Sequence, residues 1–236
     1  MTQIDYQLRE PELPRLGLIV LRVDETIEED FRHQFAPDTA RLHVTRVQSG
    51  DSLTPDTIAD MGRQLTNAAS LLPSCQFEVI GYACTSGTAQ IGAEAVRDIV
   101  KSATQTAHVT NPLSAVIAYL NHNNIRRIGL VSPYTDVVSE PLKAALTDAG
   151  ITIEASLSFG EEVEARVARI DPVSTAEAAR ALVKENNVDG IFLSCTNLQT
   201  RTILEGLSAE LGIPVFGSNS VLAWHMRHLA GLNPAD

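Results

Sequence analysis

The sequence predicts an α/β protein of two halves related by a pseudo-twofold axis, each a parallel sheet flanked by helices, with the working site in the cleft between them. Three observations carry this. Apolar, strand-like runs alternate with segments of helical period along nearly the whole chain, the order that builds parallel sheets covered by helices. Several landmarks recur at a nearly constant shift. Two of the three cysteines also stand in the same context, each ending an apolar run and followed by threonine: Gly81-Tyr82-Ala83-Cys84-Thr85-Ser86 and Phe192-Leu193-Ser194-Cys195-Thr196-Asn197.

The elements follow in order. Residues 1–14 are polar, hold two prolines and read as an extended arm. Leu16 to Val23 is a continuous apolar run, the pattern of a strand buried on both faces. Asp24 to Asp30 opens a helix whose acidic first turn suits the helix dipole. Leu42 to Val47 is a short strand. Thr54-Pro55-Asp56 starts a helix running to about Leu72, with Ile58, Met61, Leu65 and Ala68 at helical spacing. The strand Phe77 to Tyr82 leads to Cys84, and a helix is predicted from about Ala89 to Ser102. A strand near Ala107 to Val109 then precedes Asn111-Pro112 and a helix to Leu120.

After the polar tetrad Asn121-His122-Asn123-Asn124 the pattern begins again. Arg127 to Val131 is a strand, Asp136 to Ala149 a helix stopped by Gly150, and Ile151 to Leu157 a strand. Ser174 to Asn187 is a helix, Val188 to Leu193 the strand before Cys195, and Leu198 to Leu211 a helix starting just after that cysteine. Val215-Phe216 is a strand and Asn219 to Leu229 the closing helix.

The halves can be laid on one another. Arg15-Leu16-Gly17-Leu18 meets Arg127-Ile128-Gly129-Leu130 at a shift of 112 residues, and Cys84 meets Cys195 at 111. Ala118-Tyr119 meets Ala223-Trp224 at 105, so the chain reads as an internal duplication. Residues 1–120 with 215–236 form one Rossmann-like half and residues 121–214 the other. Ligands of such sheets bind outside the carboxyl ends of the strands, where both cysteines are expected to face each other.

Composition bounds the function. A chain of 236 residues, 44% hydrophobic and 20% charged, is an ordinary globular protein able to bury a core. A net charge of −11 with no Lys/Arg cluster argues against nucleic acid as a partner. No apolar run nears the ~20 residues of a membrane helix, and the start lacks the regions of a signal peptide, so a cytoplasmic protein is expected. An odd number of widely spaced cysteines points to free thiols.

The chemistry centres on Cys84 and Cys195. A thiol at a strand's carboxyl end and a helix's amino end meets unpaired N–H groups and the helix dipole, which lower its pKa from ~8.5. Two such thiols in equivalent places suggest facing acid/base groups. Cys75 has no counterpart and reads as structural. Neither Cys84 nor Cys195 has a second Cys or a His at ligand spacing, so a metal site is not expected. His225 and His228 share a helix face without a partner. Gly87 and Gly92 make no dinucleotide fingerprint and there is no phosphate-loop lysine, so no cofactor is expected.

On these residues the chain resembles the aspartate/glutamate racemase superfamily. Tyr82 to Ala89, with Ser194-Cys195-Thr196-Asn197, is most similar to its maleate cis-trans isomerase branch, which includes ectoine-utilisation proteins; the resemblance spans about residues 15 to 230. Arylmalonate decarboxylases, which keep the second cysteine alone, fit less well because Cys84 is present. The resemblance implies that Cys84 is the nucleophile or first proton-transfer group and that Cys195 handles the proton on the other substrate face. It implies that Tyr134 contacts a substrate carboxylate, and that the enzyme is a dimer. Thr85, Ser86, Thr196 and Asn197 would hold carboxylate oxygens, although helix capping explains the same residues equally well.

Two positions depart from the branch. Asp24 stands where the isomerases have asparagine, and the alignment of Ala168 to Pro172 sets Glu164 where they have a second one. An amide can donate to a carboxylate whereas an ionised carboxyl repels it, so both changes disfavour a dianion and favour an ammonium or amide N–H. The alternative is that Asp24 caps its helix and Glu164 faces solvent. The expected function is therefore a cofactor-independent, two-cysteine isomerase or racemase of a small amino or dicarboxylic acid, with an amino-acid derivative as in ectoine catabolism foremost and maleate isomerisation second. A non-catalytic small-molecule binding protein is the competing class.

Overall fold

The structure is a computed structural model that describes residues 3–9, 13–52 and 54–232. Of the predicted arm, residues 3–9 are exposed and carry no regular secondary structure, while residues 1–2 and 10–12, like 233–236 at the other end, lie outside the described residues. The first half runs β1 (Arg15–Leu21), α1 (Ile27–Gln34), β2 (Arg41–Val47), α2 (Pro55–Ser70), β3 (Phe77–Ala83), α3 (Thr85–Ile91), α4 (Ala93–Ala103), β4 (Thr106–Thr110) and α5 (Pro112–His122). The second runs β5 (Arg127–Ser132), α6 (Asp136–Asp148), β6 (Thr152–Ser158), α7 (Glu164–Val167), α8 (Pro172–Glu185), β7 (Gly190–Leu193), α9 (Leu204–Leu211), β8 (Val215–Gly217) and α10 (Ser218–Leu229).

The sheets repeat one topology, β2-β1-β3-β4 and β6-β5-β7-β8, and every strand pair is parallel. Their central strands are the continuous apolar runs. Leu16, Leu18, Ile19 and Val20 of β1 are fully buried, as are Ile191, Phe192 and Leu193 of β7, because helices cover both faces. One apolar core runs from β1 and β3 through α5 and α10 to Phe192 and Phe216, with a smaller cluster between the second sheet and α8 and α9.

The structure corrects three expectations that bear on the site. The helix predicted from Ala89 begins at Thr85, so Cys84 itself is the N-cap, and it breaks at Gly92, whose φ of 95° ends α3 before α4 starts. The helix predicted from Leu198 begins at Leu204; turns occupy the residues between, so Cys195 does not stand at a helix start. The return to the first half was placed at residue 215, but Val215–Gly217 pairs with β7 in the second sheet. Only α10, packed on α5 and β3, crosses back. Helical period cannot show these limits, since a buried turn and a buried helix are equally apolar.

Candidate active site

Both thiols are buried at the seam between the halves. Cys84 follows β3 directly, and its Sγ accepts the Gly87 N–H at 3.2 Å and lies 3.9 Å from Ser86 Oγ. Cys195 is reached by a different device. Its φ is 152°, a conformation that side chains other than glycine's rarely adopt and that costs about 1–3 kcal/mol. Its N–H donates to Ser218 Oγ at 3.0 Å, and that hydroxyl is 2.8 Å from Thr85 Oγ1. Ser218, the first residue of α10, thus ties the backbone of one cysteine to the neighbour of the other. No local signal marks it, because its partners lie 23 and 133 residues away.

Tyr134, in the turn after β5, favours the charged form of Cys195, and its own hydroxyl is shifted far up, by burial first and then by Cys195 and Cys84. Cys84 and Cys195 are 3% and 4% exposed, Tyr134 1%, Glu164 2% and Asp24 3%, so all five are shielded from solvent. Burial reverses the expected thiol chemistry. Burial pushes Cys84 up to about 12 against the Gly87 N–H, and lifts Cys195 well above its ordinary value with the Glu164 charge adding to it. Desolvation outweighs the donors at the start of α3, and Cys195 has no helix start to help it.

The two departing carboxyls flank Cys195. Asp24 Oδ1 accepts the Thr26 and Ile27 N–H groups, both at 2.9 Å, so it does cap α1. Its other oxygen, Oδ2, is buried without a well-formed hydrogen bond, with the Thr196 hydroxyl, which donates to Ala83 O at 3.4 Å, close enough to favour the ionised form. Burial raises the Asp24 pKa. Glu164 opens the short helix α7, which the sequence reading missed, and is buried rather than exposed. Its N–H donates to Asp51 O of the first half at 3.0 Å. Burial, with the Asp24 charge assisting, raises its pKa to about 7 against the pull of Asn197.

Asn197 is fully engaged. Its Nδ2 donates to Glu164 Oε2 at 2.7 Å and to Glu164 O at 3.0 Å, while its Oδ1 accepts the Glu25 N–H at 2.9 Å. It therefore orients Glu164 across the seam and has no donor left for a substrate. Thr85, Ser86 and Thr196 stay close to the thiols. Cys75 lies elsewhere, half-buried. A cavity of about 280 Å³ lies between Glu25, Thr26, Asp30, Arg169 and Arg201 and includes neither Cys84 nor Cys195. Ion pairs Arg169–Glu25, Arg201–Glu29 and Arg201–Asp30 span it from half to half.

A family profile described as arylmalonate decarboxylase matches residues 51–236. The chain belongs to that family. It thereby falls among the enzymes of the racemase-like superfamily that the paired Cys-Thr segments resembled. The arylmalonate decarboxylase of Bordetella bronchiseptica is 31% identical over 52% of this chain and 51% of its own length, so the chain aligns with about half of that relative. The maleate isomerase of Nocardia farcinica is 26% identical over 89% of this chain and 87% of the relative. Among solved structures, a maleate isomerase variant from Pseudomonas putida with maleate superposes with a TM-score of 0.81 at 20% identity, covering 94% of this chain and 93% of that one. The two-sheet fold is thus that of the maleate isomerases. Within the family this chain keeps a cysteine in both halves, at 84 and 195. Among the described residues no group of three or more His, Cys, Asp or Glu is placed to hold a metal ion, and no helix is long and apolar enough to cross a membrane.

Proposed function

We propose that the protein is a cofactor-independent isomerase using Cys84 and Cys195 as an acid/base pair on a small amino or dicarboxylic acid, an N-acylated diamino acid such as ectoine breakdown supplies being the foremost substrate. The observation that carries this is that two buried thiols, one from each half, are linked through Ser218, whose hydroxyl takes the Cys195 N–H and meets Thr85 beside Cys84. In the racemase version one sulfur, as thiolate, takes the α-proton and the opposing S–H returns one to the other face. Tyr134, Thr85, Ser86 and Thr196 hold the carboxylate and the charge that spreads onto it.

The substrate's charge follows from the carboxyl pair. At an effective dielectric of ~20, a substrate carboxylate ~5 Å from an ionised Asp24 or Glu164 is repelled by about 3 kcal/mol from each. An ammonium or amide N–H meets instead the unpartnered Asp24 Oδ2. A cationic group there also favours the thiolate that burial suppresses. Maleate isomerisation, in which Cys84 adds to the double bond and Cys195 handles the proton, is the second reading, favoured by the near-full-length similarity to a maleate isomerase. A cytoplasmic homodimer belongs to the same proposal and rests on the resemblance.

The test is incubation in D2O with N-acetyl-L-2,4-diaminobutyrate in one tube and maleate in another, followed by proton NMR and circular dichroism. Loss of the α-proton signal with decay of optical activity is expected in the first. A growing fumarate signal with an inert diamino acid would overturn the charge argument and establish the second reading. Tight binding without turnover of any amino acid, and with unreactive thiols, would establish the binding-protein class.

A further inference from the structure

Tyr82 lies in β3, two residues before Cys84, and is fully buried. Its hydroxyl makes no well-formed hydrogen bond, although Cys84 lies beside it. A buried hydroxyl left unpaired costs about 1–3 kcal/mol, a cost that phenylalanine at the same place avoids. The hydroxyl is nevertheless aimed at a definite place. A Cβ at Gly87 would stand 2.7 Å from Cys84 Sγ and 2.9 Å from Tyr82 Oη, so the sulfur and the phenol share the space that glycine leaves open.

We propose that Tyr82 is a donor reserved for the charged form of Cys84: when the sulfur loses its proton, the hydroxyl turns onto it and, with the Gly87 N–H, holds the thiolate. The two thiols are then unequal. Cys84 has the Gly87 N–H, the Ser86 hydroxyl and the Tyr82 hydroxyl around it, all favouring the thiolate. Cys195 has its own donors in the Asn197 N–H and Tyr134, but faces two carboxyls, Glu164 and Asp24. The titratable groups that face Cys84 are Glu164 from α7, Tyr134 from the turn after β5, and Tyr82 on its own strand. Tyr82 therefore selects Cys84 as the resident base or nucleophile and leaves Cys195 as the protonated partner. The inference rests on the two-thiol reading of the site and is independent of which acid is the substrate.

The test uses Tyr82→Phe in the whole protein, with iodoacetamide as the probe and peptide mass spectrometry reading the rate at each cysteine between pH 6 and 10. Loss of one charge-assisted hydrogen bond lowers the Cys84 rate at fixed pH about tenfold, the higher intrinsic reactivity of the more basic sulfur offsetting part of the change. The Cys195 rate stays unchanged, and the urea midpoint holds or rises, because phenylalanine spares the unpaired hydroxyl. Equal slowing of both cysteines, or no slowing at Cys84, overturns the assignment. So does a Tyr82→Phe protein of lower stability, which would make the hydroxyl structural. Cys84 inert in the unmodified protein at every pH would instead sink the two-thiol reading itself.

Discussion

Glu164→Gln should stabilise this protein, and increasingly so as the pH rises from 4.5 to 7. The side chain is 2% exposed, and burial moves its pKa from 4.5 to about 7. A carboxyl whose folded pKa lies above its unfolded one binds more protons folded than unfolded between the two values. Its contribution is therefore full below pH 4.5 and lost as the pH rises through 7. That displacement corresponds to about 3 kcal/mol. Glutamine keeps the oxygen that accepts Asn197 Nδ2 and cannot ionise, so this loss is absent from the variant. Asp24, also raised by burial, is present in both proteins, and its charge is part of what holds the Glu164 pKa up. Urea unfolding at pH 5, 6, 7 and 8 should show curves that differ by about 1 kcal/mol at pH 5 and separate to about 3 kcal/mol at pH 8, the variant being the more stable. Parallel curves at a constant offset would refute the argument, because they would mean that Glu164 ionises folded as easily as unfolded.

Two further outcomes follow from the same geometry. Glycine ordinarily costs ~0.5–1 kcal/mol relative to alanine, but at φ 152° it relieves backbone strain, so Cys195→Gly should unfold at higher urea than Cys195→Ala by about 1 kcal/mol; the reverse order would remove strain from the account of this turn. Arg201→Ala cuts two of the ion pairs that span the seam, each worth ~0–1 kcal/mol, and should speed alkylation of both buried cysteines about two- to fivefold; unchanged rates would show that access runs elsewhere.

Much of this was legible because the signals are local. The uninterrupted apolar runs of β1, β3, β5 and β7 report burial on both faces, and the repeated Cys-Thr reports the duplication. What the sequence could not carry depends on contacts across the seam. Glu164 sits in Glu161-Glu162-Val163-Glu164, a stretch that reads as a solvated loop, and is buried only because Asp51 O takes its N–H and Asn197 takes its carboxylate. Asn197 looked like a substrate donor until its amide proved committed to Glu164 and Glu25. Ser218 and the orphan hydroxyl of Tyr82 are unremarkable as letters, and their meaning lies in which sulfur or amide stands beside them.

The duplication explains the site better through its failures than through its symmetry. A racemase that handles mirror-image substrates needs a proton-transfer group on each face, and two copies of one strand-to-turn unit supply a pair of thiols. Identical surroundings would give both thiols the same protonation state, and a resting site then holds two acids or two bases. The chain breaks that equivalence locally: Cys84 caps a helix with a glycine amide on its sulfur, whereas Cys195 sits on a strained turn facing two carboxyls. The fold buries one sulfur from each half at a single seam, and the departures from equivalence are what make the proposed division of roles between them possible.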